Sequence, residues 1–259
     1  MELMNTILSK KDAVLLEQIL ASLGQVASFD NIKKKFKRQY TELQLRQMVD
    51  RLTKRGWLVR IKKGLYVVVT DITSLSSNNV SLLHISQALN EHSYISLTSA
   101  LHYYGLVDQL LNEVTAITNN RTRQYQFQDF IFSFSKVSED FYFGYSEKRV
   151  EGKLMKIADF EKVVLDILYL KKDTYSLNML WEKLTKYSDE FDFEKLQEYA
   201  LKCNLTLKRT TGFLLDELGE NSDKLYASVK GKNGYSRLTS KSKEFNSKWR
   251  LYYDHRIIE

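Results

Sequence analysis

A single cysteine, Cys203, stands among 259 residues. That excludes an intramolecular disulfide and points to a reducing compartment. Proline is absent; beside the many Lys, Asn, Tyr and Ile residues this is consistent with an AT-rich coding composition and bears on no mechanism. The ten glycines are scattered. They build no phosphate-cradling loop: Lys230-Gly231-Lys232-Asn233-Gly234 has neither Walker order nor a following Ser or Thr. His84, His92, His102 and His255 lack zinc spacing, and Ser96 and Ser99 have no nucleophile-elbow context. Long apolar runs are missing too. Stretches such as Val163–Leu170 are broken by Asp166, well short of the roughly 20 residues a membrane span needs. No apolar run of signal-peptide type opens the chain. A soluble, cytoplasmic protein is expected, with no metal, cofactor or membrane partner. Hydrophobic residues make up 43%, enough to build a core and to exclude global disorder.

The net charge is +7, and its location matters more than its size. Residues 1–70 hold 14 basic residues against 6 acidic ones. This small region therefore carries more than the whole excess, which points to a polyanionic partner. Its patterning predicts structure. Ala13, Leu16, Leu20 and Leu23, with Ile19 beside them, have helical spacing over residues 11–23, and Gly24 stops it. A second helix is predicted from Ser28 to about Arg38, with Phe29, Ile32 and Phe36 inward and the lysines outward. Thr41-Glu42-Leu43-Gln44 is a capping box that opens a third helix. The buried stripe of that helix is Leu45, Met48, Val49 and Leu52, and Gly56 ends it. From Trp57 the period falls to 2; Lys63-Gly64 is a turn and Leu65–Val69 a return strand. Three helices and a basic-tipped hairpin are the layout of a winged helix-turn-helix.

Such a fold places its third helix in the major groove. The face opposite the buried stripe carries Leu43, Gln47, Asp50, Arg51 and Lys54, flanked by Gln44 and Arg46. Gln47 and Arg46 have the donors for bidentate base contacts; Leu43 can touch a thymine methyl or stand as an ordinary exposed leucine. Lys33, Lys34, Lys37 and Arg38 of the second helix, Thr41 at the cap, and Arg60, Lys62 and Lys63 of the wing are expected on phosphates, which position without reading sequence. The expected DNA-contacting set is therefore Lys33, Lys34, Lys37, Arg38, Thr41, Gln44, Arg46, Gln47, Arg51, Lys54, Arg60, Lys62 and Lys63.

Residues 71–79, DITSLSSNN, read as a polar connector. The expected organisation is thus a DNA-binding domain over 1–70, a linker over 71–79 and a larger mixed domain over 80–259, of class α+β overall. In the larger domain, helices are expected at Leu82–Asn90, Ser96–Tyr104, Asp159–Leu170, Leu177–Tyr187, Phe193–Cys203 and Thr210–Leu218. Strands are expected at Val114–Thr118, Phe141–Tyr145 and Arg250–Tyr253, with a further one over Tyr125–Phe134 that slips at Gln128-Asp129. Asp159, Glu161, Lys162 and Asp166 cluster on one helix. Glu161 and Lys162 are adjacent and diverge, whereas Lys162 and Asp166 are spaced for a helix ion pair, so capping and pairing are expected there and catalysis is not. The C-terminal segment is basic. Lys230, Lys232, Arg237, Lys241, Lys243 and Lys248 form either a solvated loop or an additional nucleic-acid contact.

Several stretches resemble the AbiEi-type antitoxins of abortive-infection toxin–antitoxin systems. These are RIKKGLYVV (Arg60–Val68), SLTSALHYYGL (Ser96–Leu106), VTAIT (Val114–Thr118), FYFGY (Phe141–Tyr145), IADFEKVVLDILYL (Ile157–Leu170) and NSKWRLYYD (Asn246–Asp254). The order holds across nearly the whole chain. Phe160 stands where the family often has a proline before its Glu-Lys pair, which costs a helix-start residue. The resemblance implies a non-enzymatic antitoxin. Its N-terminal part would repress its own operon at promoter repeats, and its C-terminal part would neutralise a nucleotidyltransferase-like toxin, with or without a stable complex; the basic set Lys230, Lys232, Arg237, Lys241, Lys243 and Lys248 could then be a toxin contact instead. A monomer in solution, with two protomers on repeated DNA sites, is expected. Two alternatives stay open: a winged-helix regulator with a sensor or interaction domain and no toxin, and a nucleic-acid-modifying enzyme with a DNA-binding appendage.

Overall fold

The computed structural model describes residues 8–70, 81–108 and 112–258; the expected linker over 71–79 lies outside them. The chain divides into two compact units. One comprises residues 1–91 with 125–131 and 151–153; the other comprises 92–124, 132–150 and 154–259. The architecture is α+β. Among the described residues no helix is long and apolar enough to cross a membrane.

The first unit opens with α1 (Lys10–Leu23), whose N-cap Ser9 accepts the Asp12 amide. Its buried face is Leu15, Leu16 and Ile19, with Leu20 and Leu23 only partly covered. The face is thus turned from the stripe expected at Ala13, Leu16, Leu20 and Leu23, because Asp12 is also drawn inside by a partner on another helix. Gly24 ends α1 at φ +80°, a conformation that favours glycine. β1 (Val26–Ser28) follows, absent from the sequence reading because three residues carry no measurable alternation. Ser28 caps α2 (Phe29–Phe36), which buries Phe29, Ile32 and Phe36 and leaves its lysines outward. α3 (Glu42–Lys54) starts at Thr41 with both halves of the capping box formed, and it buries Leu45, Met48, Val49 and Leu52 as expected. β2 (Leu58–Lys62) and β3 (Leu65–Val68) form the wing. They turn through Gly64 at φ +78°, and a bulge lies between Arg60 and Lys62. β1 pairs antiparallel with β3, giving a three-stranded sheet of order β1-β3-β2. α4 (Leu82–Leu89) packs against β1.

The second sheet has the order β6-β7-β5-β4-β9-β8. Its strands are β4 (Ser93–Ile95), β5 (Glu113–Thr118), β6 (Arg123–Phe127), β7 (Phe130–Lys136), β8 (Tyr145–Val150) and β9 (Lys153–Ala158), and α5 (Leu97–Tyr103) follows β4. β4 runs antiparallel to β5 and parallel to β9. The slip foreseen at Gln128-Asp129 is a hairpin turn, with Gln128 at φ +54°. One strand expectation is corrected. Phe141 ends a short 3₁₀ turn (Glu139–Phe141), so the strand begins only at Tyr145. β9 was unforeseen, since Lys153 and Lys156 interrupt its apolar pattern.

α6 (Phe160–Leu170) is the centre of the helical layer, with Val163, Val164, Leu165, Ile167 and Leu168 all buried. With apolar residues around most of its circumference the helix has to be enclosed, and α5, α7 (Thr174–Lys186), α8 (Phe193–Leu201) and α9 (Leu205–Glu217) pack around it. α10 (Asp223–Val229) packs on α8 and α9. The basic C-terminal segment keeps Lys230, Lys232, Lys241, Lys243 and Lys248 in exposed turns and loops, with Arg237 on a short strand. β10 (Ser236–Arg237), β11 (Glu244–Asn246) and β12 (Leu251–Tyr253) form a small sheet of order β10-β12-β11. β12 is the strand expected at Arg250–Tyr253; β10 and β11 run two and three residues, too short for alternation to announce them.

Candidate nucleic-acid interface

Local sequence explains how the first unit presents its charge. Because Phe29, Ile32 and Phe36 turn inward, α2 must project Lys34 and Lys35 outward, and Lys37 and Arg38 follow exposed at its end. These four cations line an open concavity of about 460 Å³ with Leu23 and Asn31. Lys35 was not among the residues singled out for DNA, although it belongs to the same lysine run. On α3, Gln47 and Leu43 are exposed, Leu43 by 66%. Lys63 is exposed at the tip of the wing. Among the described residues Lys34, Lys35, Lys37, Arg38, Gln47 and Lys63 make no side-chain hydrogen bond or ion pair.

The remaining candidates already have partners. Thr41 and Gln44 are occupied by the capping box. Arg46 forks onto Glu42 at 2.6 and 3.1 Å and lies over the Phe29 ring at 4.8 Å. Lys33 reaches the other Glu42 oxygen at 3.1 Å. The Arg46 and Lys33 cations hold the Glu42 carboxyl below its ordinary range. These pairs are solvent-exposed and weak, so a phosphate can compete for Lys33 and Arg46. Lys54 pairs with Asp50 at 2.8 Å. Arg60 is exposed, and its Nε donates to the Lys62 carbonyl at 3.4 Å. Lys62 donates to the Leu89 carbonyl at 2.7 Å, the natural place for a cation at a helix C-terminus.

Arg51 is held more tightly. Its guanidinium forks onto Asp12, with bonds of 2.6 and 2.9 Å, and Arg55 stands 3.5 Å from the same carboxylate. Asp12 is fully buried. The Arg51 hydrogen bonds keep its pKa below the ordinary carboxylate value. The pair ties α1 to α3 and so fixes the angle at which α3 is presented. Sequence periodicity placed Arg51 on the outward face; its partner, 39 residues earlier, was invisible to a local pattern.

In the second unit the recurring motifs converge on a closed polar network. Lys162 and Asp166 pair with each other, and both are fully buried. Ser96 donates to Asp166 at 2.6 Å and Tyr94 at 3.4 Å. Phe141 lies 3.6 Å from the Lys162 ammonium and Phe143 5.0 Å. Burial pushes the Lys162 pKa down and that of Asp166 up, and raises the nearby Cys203 thiol to about 11. The expected ion pair is present. The expected cap is not: Asp159 precedes α6 without a side-chain cap bond. It accepts instead from Ser146 at 2.9 Å and Tyr199 at 2.8 Å, while Glu161 pairs with Lys195 at 2.9 Å. Buried together, Lys162 and Asp166 tie α6 to Tyr94 on β4 and to Ser96 at the start of α5.

Of the C-terminal candidates, Lys230, Lys232, Lys241 and Lys243 are exposed. Arg237 stacks over Tyr252 at 4.1 Å and donates to the Ser242 carbonyl at 2.8 Å. Lys248 is bound to Asp216 at 2.7 Å. Buried Arg209 donates to the carbonyls of Lys232, Asn233 and Gly234, a role that no local signal announced. Among the described residues one group could offer a metal three ligands. Glu244, Asp254 and His255 bring ligating atoms within 4.8 Å of one another. Their atoms are already engaged, Asp254 by Arg256 at 2.6 and 2.9 Å and His255 by Glu244 at 2.6 Å.

Comparison with known proteins bears on both units. Residues 45–69 match the family model for the transcriptional regulator, AbiEi antitoxin, a stretch that runs from Leu45 in α3 through the wing. The crystal structure of the RV2827C protein from Mycobacterium tuberculosis is similar over 98% of this chain and 96% of that one, with a TM-score of 0.64 at 12% identity. At that identity the similarity establishes the fold. No curated protein matches the chain by sequence.

Proposed function

We propose that this chain, whose α3 and wing match the AbiEi antitoxin family of transcriptional regulators, is an autoregulatory antitoxin. Residues 1–70 bind duplex promoter DNA at repeats, one protomer per repeat. The part beyond the 71–79 segment neutralises a nucleotidyltransferase-like toxin in the cytoplasm. The observation that carries the reading is local: a fully capped helix and a glycine-turned wing lie beside four unpaired cations at α2. Helix, wing and charge thus coincide on one small unit, as duplex recognition requires. Gln47 and Leu43 face the base edges, Arg46 joins them when Glu42 yields it, and Lys34, Lys37, Arg38, Arg60 and Lys63 hold phosphates. On this reading the polar cluster on α6 is a core ion pair, and the protein regulates without catalysing.

The test keeps the chain whole. A Lys34→Glu/Lys37→Glu/Arg38→Glu variant is compared with the parent in gel shifts on the DNA upstream of the gene, and in growth rescue on co-expression with the adjacent toxin gene. The variant is expected to lose the shifted band and to retain rescue. An unchanged band refutes the DNA assignment; loss of rescue with the fold intact refutes the division of labour.

A further inference from the structure

The small C-terminal sheet carries a surface that duplex binding and toxin neutralisation leave unexplained. β12 is its central strand. Arg237 on β10 and Phe245 on β11 both lie directly across from Tyr252. Strand alternation sends the neighbouring residues the other way: Leu251 is fully buried, and Tyr253 packs on Phe213 at 4.8 Å. The outward row is therefore Arg237, Tyr252 and Phe245, about 10 Å across at the usual strand spacing. Phe245 meets Tyr252 at 4.9 Å, Tyr235 meets it edge-on at 5.2 Å, and Arg237 stacks over it at 4.1 Å. Tyr235 is 62% exposed and Phe245 50%. Three rings and a guanidinium thus share one open face.

The charge around this face is positive. Arg237 borders a concavity of about 490 Å³ that also holds Lys241, Lys243, His255 and Arg256. Its two carboxylates are occupied, Asp254 by Arg256 and Glu244 by His255. Lys241 and Lys243 have no acidic partner among the described residues. The rim is preorganised too. Arg209 grips the Lys232, Asn233 and Gly234 carbonyls from below, and Arg250 donates to Gly234 at 2.8 Å.

We infer that this sheet is a binding platform for single-stranded nucleic acid. Unpaired bases expose π-faces, which stack on aromatic rings and on arginine planes, while lysines beside them take the phosphates. A duplex hides those base faces and gains little from a flat aromatic row. An acidic protein partner would pair with the lysines but leave the stacked row of rings and guanidinium unmatched. The inference stands apart from the reading of the first unit, since it uses none of the same residues.

The experiment is fluorescence anisotropy on the full chain. The probes are a labelled single-stranded RNA of about 12 nucleotides, the DNA of the same sequence, and the corresponding duplex. The background variant Lys34→Glu/Lys37→Glu/Arg38→Glu removes the contribution of the first unit. Single-strand binding is expected to persist in that background. It is expected to fall about tenfold or more when Tyr235→Ala/Phe245→Ala is added, from the loss of one or two stacked bases. A Lys241→Glu/Lys243→Glu variant is expected to fall similarly and to show a weaker salt dependence. The ratio of RNA to DNA affinity tells which strand the platform takes. Four results overturn the proposal: no single-strand binding in the background variant, unchanged affinity after removal of the rings in a folded protein, equal affinity for the duplex, or a face that retains only a protein partner. Failure of duplex binding by the parent chain leaves all of these readouts intact.

Discussion

Removing the Asp166 carboxylate leaves an ammonium stranded in the core, and the structure sets the size of the effect. Lys162 and Asp166 are both fully buried and bind each other. Asp166 also accepts from Ser96 at 2.6 Å and from Tyr94 at 3.4 Å. Breaking a buried pair from one side costs about 3–5 kcal/mol, because the remaining charge is uncompensated. Asp166→Leu and Lys162→Met should each cost that much, a fifth or more of an ordinary domain's stability of about 5–15 kcal/mol. Lys162→Met/Asp166→Leu removes both charges and leaves chiefly the Ser96 and Tyr94 hydroxyls without their acceptor, at about 1–3 kcal/mol. The double variant should therefore be more stable than either single one, with a coupling energy of about 3 kcal/mol or more. Urea unfolding of the four proteins measures it. A pH series adds a sign. In Asp166→Asn the buried Lys162 titrates below its unfolded value of 10.5, so the unfolded chain binds more protons in that window and stability must rise with pH toward 10.5. A coupling energy under about 1 kcal/mol, or a flat alkaline limb in Asp166→Asn, would refute the buried-pair account.

Three further outcomes follow from particular contacts. Lys34→Gln/Lys37→Gln/Arg38→Gln should lower the log–log salt slope of promoter binding by about 2.7, at roughly 0.9 per phosphate contact; an unchanged slope would take α2 off the DNA. Asp12→Asn should cost about 1–2 kcal/mol, discounted because Arg51 is 42% exposed. The Asp12 pKa is lowered in the folded state, so its contribution is present above about pH 4 and is lost as pH falls through the folded value. The two proteins should then converge in acid urea titrations, and a gap that persists in acid would assign the effect to something other than this ion pair. Gly212→Ala drives a methyl into the ring of the fully buried Trp249, whose Nε1 is fixed on Asp216 at 2.7 Å. Overpacking of this kind costs about 3 kcal/mol, read as a fall in melting temperature; a neutral substitution would mean that Trp249 yields freely.

What the sequence determined by itself was short-range. The Thr41–Gln44 cap, the Leu45–Leu52 stripe, the turn at Gly64 and the lysine run of α2 each lie within one or two turns of chain, where hydrogen bonding and helical period act locally. Those features were legible, and so was the concentration of charge in the first 70 residues. The largely apolar α6 announced its own burial, and the Lys162–Asp166 spacing announced their pairing. Only the tertiary structure decided which candidate side chains are free. Arg51 is spent on Asp12, 39 residues away, and Lys62 on a helix end 27 residues away. Asp159, placed as a cap by its position, turns to Ser146 and Tyr199. In the C-terminal segment β12 was legible but β10 and β11 were not, because strands of two or three residues are specified by what they pair with. Its aromatic row exists only where β10 and β11 meet β12, and no periodicity along the chain could have assembled it.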